Sequence, residues 1–191
     1  MERSRVESRL PPGQVPTRKW PVLHFGSVPR IPRTEWKLEL RGAVEVPTTL
    51  DWDALRSLPQ RKLRCDIHCV TGWSRLGSLF TGVPMTEVAP LARPLPEAGF
   101  ALVHAPGGWC SSFALEDLLR DDVLLAHSHG GRPISPEHGG PVRLVAPHLY
   151  FWKSAKWVQQ IEILAEERPG FWERNGYHRR GDPWREERFA W

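Results

Sequence analysis

Cys65-Asp66-Ile67-His68-Cys69-Val70-Thr71-Gly72-Trp73-Ser74 brings two thiols and an imidazole within five residues. Over residues 62–70 the chain alternates: Leu63, Cys65, Ile67 and Cys69 on one face, Arg64, Asp66 and His68 on the other. That two-residue period predicts a half-buried strand, ended by Thr71 and Gly72. On a strand both cysteines point one way and His68 the other, so the three cannot converge on one ion. The second ligand pair of a zinc knuckle is also missing. Cys65 reads as a small buried hydrophobe. Cys69 ends the strand, where a side chain can face a cleft, and a thiolate there is a soft metal ligand or a nucleophile.

Further along lies a second cluster, His138-Gly139-Gly140-Pro141-Val142-Arg143, followed by Tyr150, Trp152, Lys153, Ser154 and Lys156. Paired glycines allow close backbone approach and Pro141 fixes a corner. Arg143, Lys153 and Lys156 supply charge and Ser154 a hydroxyl. Two readings stay open on the residues alone: a pocket for an anion such as phosphate beside aromatic walls, or a structural Gly-Pro turn with solvated cations. Neither a P-loop nor a dinucleotide glycine fingerprint is present.

Around these clusters the composition sets limits. The chain has 191 residues, 40% hydrophobic and 25% charged, with a net charge of +4. That excludes a disordered chain, and no apolar run approaches the ~20 residues needed to span a bilayer. At this length a single domain can bury roughly 70% of its extended surface without a structural metal or disulfides. The three cysteines, being odd in number, argue against a disulfide framework and fit a reducing compartment. Arginines are interleaved with acids, as in Arg185-Glu186-Glu187-Arg188, rather than forming the stripe of a nucleic-acid binder. No apolar export segment is seen near the start, so the cytoplasm is the expected location. Ten tryptophans and 19 prolines predict short elements, ordered loops and aromatic plates.

The pattern predicts a flexible arm over 1–19 and a single domain over 20–191. A strand is predicted over 36–42, a helix capped by Thr48 or Thr49 running through Leu58, and a short helix over 84–91. Strands follow over 100–104, 109–113, 123–126, 142–145 and 161–164, with a helix over 116–119 and a turn at Gly130-Gly131. The tail 166–191 carries six large aromatics and is expected to pack on the domain or on a partner subunit.

Three ordered motifs carry a resemblance: Asp66-x-His68-Cys69-Val70-Thr71-Gly72-Trp73-Ser74, then His138-Gly-Gly-Pro-Val-Arg143-Leu144-x-x-Pro147, then Tyr150-x-Trp152-Lys153-Ser154-x-Lys156-Trp157. Together they resemble the molybdopterin-binding oxidoreductase domain of the sulfite oxidase fold, and most closely its short stand-alone members. The resemblance implies an α+β fold of mixed β-sheets with short helices and ordered loops. It implies a molybdenum-molybdopterin (Mo-pyranopterin) cofactor with Cys69 as catalytic metal ligand. His138, Arg143, Ser154 and Lys156 match the positions that contact pterin and phosphate. The implied chemistry is oxygen-atom transfer to or from a small-molecule oxo donor or acceptor, with electrons exchanged with a separate electron-transfer protein. The alternative is a non-catalytic module that binds or carries the cofactor. Sulfite oxidases follow their cysteine with an Asn-Arg type sequence, whereas Val70-Thr71-Gly72-Trp73-Ser74 is nearer the methionine sulfoxide reductase catalytic subunits. An S- or N-oxide is therefore the expected substrate class. No nucleic-acid partner and no membrane segment are expected, and an oligomer is possible.

Overall fold

A computed structural model describes residues 7–190. In chain order the strands are β1 (Val15–Pro16), β2 (Lys37–Gly42), β3 (Thr48–Asp51), β4 (Arg61–His68), β5 (Trp73–Pro84), β6 (Phe100–His104), β7 (Cys110–Ala114), β8 (Leu124–His129), β9 (Arg132–Pro133), β10 (Arg143–Val145) and β11 (Gln160–Leu164). The α-helices are single turns or little more: α1 (Trp52–Ser57), α2 (Met85–Val88), α3 (Leu115–Leu118) and α4 (Phe171–Arg174).

The strands form two sheets. One has β5 at its centre, with β4 along one edge and, on the other edge, β1 beside its start and β8 beside its end; β8 continues to β10 and β9. The second runs β3-β2-β11-β6-β7, with only the β2–β11 pair parallel. The main core lies between them. Leu38, Leu40, Val103, Ile161 and Ile163 of the second sheet join Val83, Leu125 and Leu144 of the first in one cluster of buried side chains. Leu124, Ala126 and Val145, neighbours of Leu125 and Leu144, point the opposite way and pack with Ile67, Phe80 and Phe151 in a second cluster. Both faces of the first half of β8 are thus covered, which explains why Leu124-Leu125-Ala126 is continuously apolar rather than alternating. This is the mixed α+β architecture expected for the sulfite oxidase molybdopterin fold.

Four expectations are corrected. The arm expected over 1–19 is not free over its described later part: β1 runs parallel to the start of β5, with Val15 N donating to Gly72 O at 2.8 Å and Thr17 N to Ser74 O at 2.8 Å. A short extended segment fits there because β8 reaches only the far half of β5. The threonines 48 and 49 do not cap a helix. They pair with Leu40 and Glu39 in β3, and Asp51 caps α1 by accepting from Ala54 N at 2.8 Å. The 12-residue β5 lacks a local strand signal, since Gly77, Gly82 and Pro84 interrupt it, and its end at Pro84 is where the sequence suggests a helix start. Gly82 is needed there: a Cβ would lie 2.1 Å from Leu125 O of β8. Finally, β4 carries a bulge between Cys65 and Ile67, so the alternation fails and neighbouring Ile67 and His68 are both buried.

Candidate active site

The bulge and the end of β4 separate the two cysteines. Cys65 packs against the cluster of Ile67 and Phe80, and burial, with Asp66 and Asp122 nearby, pushes its thiol up to about 12. It is an inert apolar filler. Cys69 lies beyond the strand in a tight turn, with Gly72 N donating to Cys69 O at 3.0 Å and Cys69 N to Trp73 O at 2.8 Å. Gly72 has φ +97°, which glycine adopts without strain. No group of three or more His, Cys, Asp or Glu able to hold a metal exists among the described residues.

The turn is held from three directions. Gln14 Nε2 donates to Cys69 O at 3.0 Å, and Gln14 Oε1 accepts from Ser74 Oγ, which also bonds His68 Nδ1 at 2.7 Å. Arg188 Nη1 donates to Val70 O, and Phe151 N donates to His68 O. Both chain ends thus fix the cysteine turn. Gln14 and Arg188 carry no sequence signal that would have revealed this role.

Cys69 opens onto a cavity of about 580 Å³, also lined by His138, Arg143, Ser154 and Lys156. All five residues singled out from the sequence therefore meet in one place. Lys153 does not join them: its ammonium is buried against Glu173 Oε1 at 2.7 Å and Ser112 O at 2.6 Å. The walls are aromatic, including Trp20, Trp73, Trp152, Trp157, Trp172 and Tyr177, and no Asp or Glu lines them. Trp184 is instead half exposed and touches the His68 ring edge-on, and Trp191 lies outside the described residues.

The electrostatics of the glycine corner bear on the two readings left open above. Arg143 is 1% exposed, so it is not a solvated cation. Its guanidinium donates to His138 O at 2.7 Å and Ser154 O at 2.8 Å and sits over the Phe151 ring at 4.2 Å. No carboxylate pairs with it among the described residues, and burial pushes it down to about 9. Lys156 donates to Leu23 O and Glu137 O; burial first, then Arg143, lowers it to about 7. The same causes, in the same order, with Lys156 added, bring His138 down to about 4, and its ring stacks on Trp20 at 4.0 Å. Ser154 Oγ accepts from Ala146 N, which leaves its hydrogen to donate. A buried guanidinium with no carboxylate partner among the described residues, with Lys156 beside it and only the exposed Glu137 opposing that lysine, fits a phosphate. The glycines serve the protein itself rather than the ligand: a Cβ on Gly140 would lie 2.1 Å from Ile134 O, and one on Gly139 would lie 2.9 Å from the Lys156 stem.

The tail brings Tyr177 to the cavity, with its ring 5.4 Å from Trp152 and 5.0 Å from Trp172. Burial, and then the nearby Cys69, raise its phenol above the ordinary value. The only sequence hint was the density of aromatics in the tail. Arg180 grips Asp117 with two hydrogen bonds of 2.8 and 3.0 Å, and Tyr150 N donates to Gly181 O at 2.7 Å.

A thiol and a cationic corner thus share one aromatic cavity. Residues 25–172 match the oxidoreductase molybdopterin binding domain, and the chain belongs to that family. It is an oxidoreductase of the sulfite oxidase family. Among its relatives, uncharacterized oxidoreductase YuiH of Bacillus subtilis (strain 168) is 48% identical over 189 residues, covering 98% of this chain and 96% of YuiH. Nitrate reductase [NADH] 2 of Phaseolus vulgaris is 26% identical over 178 residues, and the match takes in 20% of that longer protein. Sulfane dehydrogenase SoxCD from Paracoccus pantotrophus shares the fold with a TM-score of 0.69 at 22% identity, covering 75% of this chain and 41% of that one. No described helix is long and apolar enough to cross a membrane.

Proposed function

We propose that the protein is a mononuclear molybdenum oxidoreductase that moves an oxygen atom to or from a small S- or N-oxide couple in the cytoplasm. Electrons are exchanged with a separate protein. The observation that carries this reading is the convergence of the Cys69 thiol with the cations Arg143 and Lys156 on one cavity. Cys69 would hold molybdenum, and His138, Arg143, Ser154 and Lys156 would hold the pterin and its phosphate. When bound, the cofactor supplies oxygen-atom transfer coupled to a two-electron change. The chain's part is to orient and to exclude water: aromatic walls keep the thiol side dry, and the cationic corner fixes the anionic end. The segment Val70-Thr71-Gly72-Trp73 carries no cationic side chain of its own, and Arg188 is engaged by the Val70 carbonyl, which supports a neutral oxide over a sulfite anion.

The experiment is reduction of purified protein, made in a host that synthesises molybdopterin, followed by oxidant. Reoxidation by methionine sulfoxide or trimethylamine N-oxide, with no reduction by sulfite, is expected. A spectrum unmoved by any oxo donor or acceptor would make the protein a cofactor carrier instead.

A further inference from the structure

Cys69 Sγ has one polar partner among the described residues, Thr71 Oγ1 at 3.1 Å. The Thr71 hydroxyl has no other hydrogen-bond partner among them. We propose that Thr71 is a positioning residue that donates its hydroxyl hydrogen to the Cys69 sulfur and so draws electron density off that ligand, raising the potential of the metal it holds. The proposal rests on the reading of Cys69 as the molybdenum ligand.

Three observations support it. The direction of the bond is forced: a thiol and a hydroxyl can each donate, but a metal-bound thiolate has no hydrogen to give, so Thr71 must be the donor. The geometry is imposed by backbone rather than by a mobile side chain, because the turn from Cys69 to Gly72 is closed by its own hydrogen bond and tied down by Gln14 and Arg188. Threonine, branched at Cβ, is also stiff about χ1. A hydrogen bond to a ligating sulfur lowers its donor strength and stabilises the reduced metal, one of the levers by which proteins set metal potentials.

Thr71→Val keeps the shape and removes the donor, and Thr71→Ser restores the donor on a looser side chain. Thr71 is exposed, so neither change opens a core cavity. Each protein is made in a molybdopterin-producing host, its molybdenum is measured, and its metal midpoint potential is titrated by the visible sulfur-to-metal absorption. Equal molybdenum contents are expected, with Thr71→Val shifted to a more negative potential and Thr71→Ser close to wild type. An unshifted Thr71→Val holding full molybdenum would overturn the role of Thr71 while leaving the functional reading intact. A wild-type protein without molybdenum would overturn that reading, and the Thr71 proposal with it.

Discussion

Lys156 holds its ammonium in a place that burial and Arg143 make costly, which sets its proton loss near neutrality. An anion in the corner reverses that penalty, so binding above pH 7 brings a proton with it. Sulfate keeps its full charge across the range and isolates the effect. Its affinity for the cofactor-free protein, read from the rise in melting temperature, should fall roughly tenfold between pH 6 and pH 8.5, and Lys156→Gln should flatten the dependence. Arg143→Met removes the buried guanidinium but retains bulk. Pterin retained through gel filtration should drop about tenfold or more, the scale of one charge-assisted contact. Pterin retention equal to wild type in that variant would remove Arg143 from the site.

At the scale of elements, the tail is fastened by a buried ion pair. The side chains of Lys153 and Glu173 are 1% and 2% exposed. Glu173→Gln leaves the ammonium without its counter-charge, so unfolding in urea should show a loss of about 3–5 kcal/mol. The double replacement Lys153→Met, Glu173→Leu should lose clearly less, because no unpaired charge remains. Sequence legibility divides along similar lines. Strands β2, β6, β10, β11 and the first half of β8 were readable because apolar period or continuity tracks burial there. Strand β5 was hidden because Gly82, a breaker in isolation, is required by the close approach of β8. The bulge in β4 was invisible because alternation assumes regular pairing.

For the whole molecule, the core joins two sheets and the site lies where both chain ends meet the β4–β5 turn. The five site residues could be found because their spacing forms motifs. Gln14 and Arg188 could not, since contacts made 55 or more residues apart leave no local pattern, and Tyr177 was signalled only by the density of aromatics in the tail. A global pH response follows from three histidines. His127, His129 and His138 are each lowered to about 4, in every case chiefly by burial and then by nearby cations. The folded chain keeps them neutral while the unfolded chain protonates them near pH 6.5. Their neutral-form stability is therefore full above that value and is lost as pH falls toward 4. Urea midpoints of the cofactor-free protein should decline steadily over that window, and His127→Gln should make the decline shallower.

The most direct test of Cys69 as a metal ligand is X-ray absorption at the molybdenum edge on wild type and Cys69→Ser, both made in a host that synthesises molybdopterin. Near-stoichiometric molybdenum with one more sulfur neighbour in wild type than in Cys69→Ser is the expected result. Zinc in place of molybdenum, or the same sulfur shell in both proteins, would contradict it.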